Sequence, residues 1–273
     1  MRMQSGMSPA WPSRIAVAGL MLGVAAAAGS LELFEGRAFA GEPSADEILK
    51  MLDHAQGCFD DLSSEVTMSV YEPGAKEGRI YKFHQISKGH TKRVARFTAP
   101  GDINGMGFLS EGRDTLYVYL PDMKKIRRMG THINNQSMMG SDLTNDDMSA
   151  AELSASYKPR FISADDKEWI IEIDALPGNA SDFVKVKVWV RKDIKQATKM
   201  EDYDKAGKLV RTITREKYTK DEGPGEEHWT PALMTYVDHR RNDHKTTLEL
   251  TNNKINQKIG DDEFSQSALR RGN

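Results

Sequence analysis

Cys58 is the only cysteine in the 273 residues. No internal disulfide can form, so a hydrophobic core must supply the stability, and a chain of this length can bury one. An excess of charge of one sign is also missing: 38 Lys and Arg stand against 40 Asp and Glu. A near-neutral surface gives no electrostatic reason to expect nucleic acid as a partner. Catalytic signatures are absent too. There is no phosphate-cradling glycine loop, no G-x-S-x-G nucleophile turn, no H-E-x-x-H and no pair of cysteines. The sequence therefore predicts no enzyme and no cofactor. Beyond the first forty residues no apolar run is long enough to span a bilayer, and the mean hydropathy of −0.59 suits a soluble chain.

What is present begins with an N-terminus unlike the rest. Arg2 and Arg14 precede an uncharged apolar run of 15 residues, IAVAGLMLGVAAAAG, and Ala38-Phe39-Ala40 follows. A basic start, a short apolar stretch and small residues at the cleavage positions predict a cleaved secretory signal over residues 1–40. Cleavage within Ala25 to Ala28 is an alternative. Residues 41–273 then form one exported domain, expected in the bacterial periplasm and as a monomer. No cysteine lies beside the cleavage site to carry a lipid.

Ser44 to Leu62 predicts a helix. Ser44 is suited to cap it, Asp46 and Glu47 fall in the first turn, and Ile48, Leu49, Leu52, Ala55 and Phe59 share one face. After Leu62 the period changes to two. Val66, Met68 and Val70 alternate with polar residues, and so do Trp169, Ile171 and Ile173, then Val184, Val186, Val188 and Val190. Short runs at Ile80 to Ser87, Arg93 to Thr98, Gly107 to Glu111, Thr115 to Leu120, Lys195 to Tyr203, Leu209 to Thr219, Leu233 to Arg240 and Thr246 to Asn252 complete the series. Ten to eleven strands at hairpin spacing predict one strongly curved antiparallel sheet or barrel. Gly130 to Ser156 breaks the pattern. It is rich in Asn, Ser and Met, and Thr144 to Ala155 can form a short helix capped by Thr144 or Asn145. A second short helix is expected over Phe264 to Arg271, and Asp221 to Glu227 reads as an exposed loop.

Several clusters invite a site and have plainer explanations. His54 and Cys58 are four apart on a helix, a spacing that a packing face with a small buried thiol also gives. His239 and His244 flank Arg240, Arg241 and Asp243, which reads as a solvated hairpin tip. Asp142, Asp146 and Asp147 lack the twelve-residue calcium-loop pattern and suit helix capping. Lys124, Lys125, Arg127 and Arg128 form a basic strand that could meet anionic headgroups or an acidic partner.

Arg96-Phe97-x-x-Pro100, then Gly105-Met106-Gly107-Phe108-Leu109, Leu116 to Pro121, the basic run and Met139-Gly140-Ser141-Asp142-Leu143 with Asp147-Met148 follow in order. In this order and spacing they resemble the LolA-like outer-membrane lipoprotein-sorting proteins, over roughly Ser44 to Asn253. The resemblance implies an unclosed antiparallel β-barrel, mainly β, with short helices covering its concave face. It also implies a carrier without metal or catalysis, whose apolar cavity shields the acyl chains of a lipid or lipoprotein.

The candidate cavity residues are Val66, Met68, Val70, Phe83, Leu116, Val118, Trp169 and Ile171; alternation alone leaves open which face turns inward. Met138, Met139, Leu143 and Met148 belong to the expected lid. In the well-known carriers an Arg-Pro pair early in the sheet helps hold the lid, whereas this chain has Lys88-Gly89-His90. Divergent members resemble accessory proteins of resistance-nodulation-division exporters. An inner-membrane exporter and transient membrane contact are therefore expected partners. The alternative is a non-enzymatic sensing or partner-binding module on the same fold; an enzyme acting on an envelope lipid is a third class.

Overall fold

The computed structural model describes residues 41–112, 115–129, 137–144, 147–148, 152–179 and 181–271. The expected signal segment, Asn145, Asp146 and residues 149–151 of the expected short helix lie outside them.

The domain starts with helix α1, Ala45–Gly57. Ser44 and Glu47 cap it reciprocally: Glu47 N–H donates to Ser44 Oγ at 3.3 Å and Ser44 N–H to Glu47 Oε2 at 2.8 Å. Two of the orphan donors of the first turn are thereby satisfied. The helix ends five residues earlier than the sequence suggests, at Gly57, where a Cβ would overlap the His90 ring.

Thirteen strands follow: β1 Leu62–Tyr71, β2 Arg79–Lys88, β3 Lys92–Ala99, β4 Gly107–Glu111, β5 Leu116–Leu120, β6 Lys125–Met129, β7 Tyr157–Ala164, β8 Glu168–Ala175, β9 Lys185–Arg191, β10 Ala197–Tyr203, β11 Leu209–Lys220, β12 Trp229–Asp238 and β13 His244–Ile255. The short helix α2, Gln266–Arg271, closes the chain. Eleven of the strands match the alternating runs, and β6 is the basic strand. β7 was not foreseen: Lys158, Pro159 and Arg160 hide its pattern.

All thirteen form one antiparallel sheet in the order β6-β5-β4-β3-β2-β1-β13-β12-β11-β10-β9-β8-β7. Two meanders, β1 to β6 and β7 to β13, meet through the β1–β13 pair, where Val66 opposes Leu250 and Met68 opposes Leu248. β6 and β7 are the two free edges, so the barrel is open.

The curl of the sheet follows from hydrogen bonds at the end of α1. His90, in the β2–β3 turn, bonds the Asp53 carbonyl at 2.8 Å, and Gln196, before β10, donates to the Ala55 carbonyl at 2.6 Å. β2 and β10 are five strands apart. In a flat sheet that is about 24 Å, yet one turn of helix reaches both. The sheet therefore wraps around α1.

Its inner face carries the main core. Ile48, Leu49 and Leu52 of α1 pack with Met68, Phe83, Phe97, Val118, Ile171, Val188 and Ile213. The opposite face of β2 to β5 holds a smaller cluster, Ile86, Val94 and Leu109, covered by Phe264 and Leu269. Gly107 admits Leu269; a Cβ there would lie 2.7 Å from Leu269 Cδ2. Among the described residues, no helix is long and apolar enough to cross a membrane.

Phe97 stacks against Phe83 with ring centroids 5.0 Å apart and meets Phe108 at 5.8 Å and Tyr81 at 6.3 Å. Phe97→Ala is expected to cost about 3–5 kcal/mol of unfolding free energy in urea titrations.

Candidate functional site

The connection from β6 to β7 joins opposite edges of the sheet, and its described part, residues 137–144, 147–148 and 152–156, lies against the inner face. Met138, Leu143 and Met148 are buried in the main core, and Met139 packs against it.

Two carboxylates fasten this segment. Asp142 accepts from His244 Nδ1 at 2.7 Å and from Thr246 Oγ1 at 2.7 Å, and Arg241 Nη1 stands 3.3 Å away. Burial pushes the Asp142 carboxyl up, against the pull of Thr246, His244 and Arg241. Asp147 receives both terminal nitrogens of Arg211, at 2.6 and 3.0 Å, and its carbonyl accepts from Arg93 at 3.2 Å. Thr144 and Asp147 also cap each other: Thr144 N–H donates to the carboxylate at 2.7 Å and Asp147 N–H to Thr144 Oγ1 at 3.3 Å. Asp53 of α1 holds the far end of the segment, accepting from the backbone N–H groups of Leu153 and Ser154 at 2.8 and 2.9 Å.

Arg211 is 3% exposed. Besides Asp147 it bonds Asp202, its cross-strand partner, through Nε at 2.6 Å. Burial works against its charge, but Asp147 and Asp202 outweigh burial and hold the guanidinium above its ordinary pKa. The reverse effect falls on Asp147: burial raises its carboxyl, and Arg211 more than offsets this, leaving it below the usual carboxylate range. Tyr236 beside them is pushed up to about 12 by burial and the Asp147 charge.

Between the segment, the end of α1 and the inner face lies a cavity of about 290 Å³. Val66, Phe83, Ile213, Met234, Leu248 and Leu250 give it an apolar wall, and Leu143 and Met148 roof it. Arg93, Arg211, Arg215, Asp147, Asp202 and Tyr236 give it a polar one.

Of the residues read from the sequence, Val66, Phe83, Leu143 and Met148 line this cavity. Met68, Val70, Leu116, Val118, Trp169 and Ile171 are buried on the same inner face, in the surrounding core. Lys124, Lys125, Arg127 and Arg128 are exposed on the free edge. His244 is not part of a solvated tip; it is 1% exposed and bound to Asp142. Asp142 serves that bond rather than a helix cap. His54 is not on a packing face either. It is exposed and pairs with Glu226 at 3.0 Å, where Cys58 completes a trio of ligand atoms within 4.8 Å of one another. Burial and the Glu226 charge push the Cys58 thiol up, which disfavours the thiolate a metal requires.

The arginines of the cavity were missed. One signal was available: once Ile213 faces inward, the period of two puts Arg211 and Arg215 inward with it. His90 anchors α1, and the crossing segment is held by Arg211 and Arg93.

The sequence profile of a family described as an uncharacterized protein matches residues 89–271, more than half of the chain. The chain belongs to that family. Its fold is LolA-like, as three solved structures show. A domain from Vibrio parahaemolyticus described as an outer membrane lipoprotein-sorting protein aligns over 83% of this chain and 98% of its own, with 21% identity and a TM-score of 0.74. A DUF1329 family protein from Desulfovibrio piger covers 82% and 97% at 24% identity, also at 0.74. A LolA superfamily protein from Nitrosomonas europaea covers 83% and 100% at 22% identity and 0.67. No curated protein matches the chain.

In this LolA-like chain Asp147→Asn is expected to lose roughly 3–5 kcal/mol at pH 7, because Arg211 is left with one carboxylate. A depressed carboxyl stabilises above its unfolded pKa of about 3.9 and ceases to do so as pH falls through its lower folded pKa. The gap between wild type and variant in urea titrations should therefore be constant from pH 7 to pH 5 and narrow by pH 3.

Proposed function

We propose that this chain is a periplasmic, non-catalytic carrier that shields the acyl part of a lipid or lipoprotein between the envelope membranes. The observation that carries the reading is the cavity roofed by the crossing segment. Acyl chains cost about 0.8 kcal/mol per CH₂ in water, so a soluble carrier needs a dry apolar wall and a cover that can be released. Here the wall is Val66, Phe83, Ile213, Met234, Leu248 and Leu250, and the cover is tied down by polar bonds to Asp142 and Asp147 rather than by the chain's main hydrophobic packing alone. Methionine suits a wall that must fit with and without cargo. The two interior carboxylates nearest the cavity, Asp147 and Asp202, are both bound by Arg211, which leaves neither as a general base.

Delivery requires contact with a membrane or a membrane partner. The exposed Lys124 in the turn before β6 and Lys125, Arg127 and Arg128 on it, next to Met123 at 55% exposure, suit anionic headgroups or an acidic face of an exporter. The N-terminal segment is the export signal in this reading.

Native mass spectrometry of the protein purified from the periplasm, with lipid extraction, is the direct test. A stoichiometric lipid or acylated peptide is expected. A clean apo mass with no uptake of added lipid overturns the carrier. Met234→Trp fills the apolar end and is expected to reduce lipid uptake about tenfold or more in the same assay.

A further inference from the structure

Two arginines on the cavity wall have no carboxylate of their own among the described residues. Arg93 gives Nη1 to the Asp147 carbonyl, and its Nε has no hydrogen-bond partner. Arg215 Nε is equally unpartnered, although the Arg215 side chain bonds the Tyr218 hydroxyl. Neither arginine forms an ion pair among the described residues, since the carboxylates of Asp147 and Asp202 are both taken by Arg211. Glu152 lines the same cavity but is exposed. Three further buried atoms without partners belong to cavity-lining residues: Gln56 Nε2, Ser87 Oγ and His228 Nε2.

Their placement follows from the strand period. Ser87 and Arg93 are cross-strand neighbours of β2 and β3 on the inner face, and Arg215 opposes Met234 across β11 and β12. The same face further along is apolar, with Phe83 and Phe97 four residues from Ser87 and Arg93, beyond Gln85 and Ala95, and Ile213 two residues from Arg215. The cavity is thus amphipathic, cationic at one end and hydrocarbon-like along its wall. Burial pushes the Arg93 guanidinium down and the neighbouring Arg215 cation adds to this, while Tyr236 and the Asp147 charge oppose it. Half-buried cations that repel one another favour a counter-charge. The two interior acids nearest them, Asp147 and Asp202, are paired with Arg211.

We infer that the cavity takes an amphiphile with an anionic head, a carboxylate or a phosphate, seated at Arg93 and Arg215 with its acyl tail along the apolar wall. This rests on the carrier reading and narrows its cargo. The thioether- and amide-linked acyl anchor of a lipoprotein has no anionic head and would leave both arginines uncompensated.

Titration of the purified protein, followed by fluorescence of the cavity-lining Trp229, tests this with four probes: palmitate, its neutral monoglyceride, phosphatidylglycerol vesicles and inorganic phosphate. At least one anionic lipid is expected to bind about tenfold or more tightly than the monoglyceride. Whether that is palmitate or phosphatidylglycerol names the head, and phosphate without a tail should bind more weakly than either. Arg93→Gln and Arg215→Gln should each shrink the ratio between charged and neutral lipid. If both variants fail to fold, the wild-type ratio still decides. Equal binding of palmitate, phosphatidylglycerol and monoglyceride overturns the anionic head and leaves the carrier standing. No binding of any lipid, with or without phosphate binding, overturns both.

Discussion

A guanidinium with almost no access to water must be paired, and Arg211 finds two carboxylates, one on its own sheet and one on the segment that crosses it. Asp202 is fixed by the register of β10 and β11. Asp147 is not fixed by any strand; its position is set by Arg211, by Arg93 and by its cap with Thr144. Removing the crossing segment would expose one buried cation to a single partner, and removing Arg211 would leave two buried acids face to face. The segment is therefore held at a defined place by charge, while Leu143 and Met148 supply contact area without specifying a position.

This arrangement answers a problem created by the open sheet. Thirteen strands that wrap without closing leave two edges and a large concave apolar surface. β6 guards its edge with Lys125, Arg127 and Arg128, and β7 with Lys158, Pro159 and Arg160, the charges and proline that discourage further strand pairing. The concave surface is partly filled by α1, which the hairpin residues His90 and Gln196 hold by its last carbonyls. What α1 leaves uncovered is the space beneath the crossing segment. The described part of the connection between the two edges lies over that space, and particular residues fasten it there.

The strands were legible in the sequence because alternation is local: Val184 to Val190 or Val66 to Val70 announces a strand without reference to anything else. β7 was not, since Tyr157-Lys158-Pro159-Arg160-Phe161 alternates but carries a proline and two cations that a free edge tolerates. The helix start was legible in Ser44 and Glu47, three residues apart; the close approach of His90 to Gly57, thirty-three positions away, was not. The fastening of the cover was the least legible part. Arg211 meets Asp147 across 64 residues and His244 meets Asp142 across 102. A run such as His239 to His244 looks like a solvated tip until the partner arrives from another part of the chain.

The same separation explains why an amphipathic cavity can persist without collapsing. An all-apolar pocket of this size would gain by closing on itself, because every methylene brought together leaves water. Arg93 and Arg215 oppose that closure: drawing the wall inward would press two unpaired cations toward Leu248 and Met234 and strip what hydration they retain. Like charges on one wall therefore act as a spacer while the cavity is without cargo and as a recognition element when an anion arrives. Both roles need the acids of the interior to be engaged elsewhere, which returns the argument to Arg211. By holding Asp147 and Asp202 it fastens the cover and, in the same act, keeps its two neighbouring arginines available.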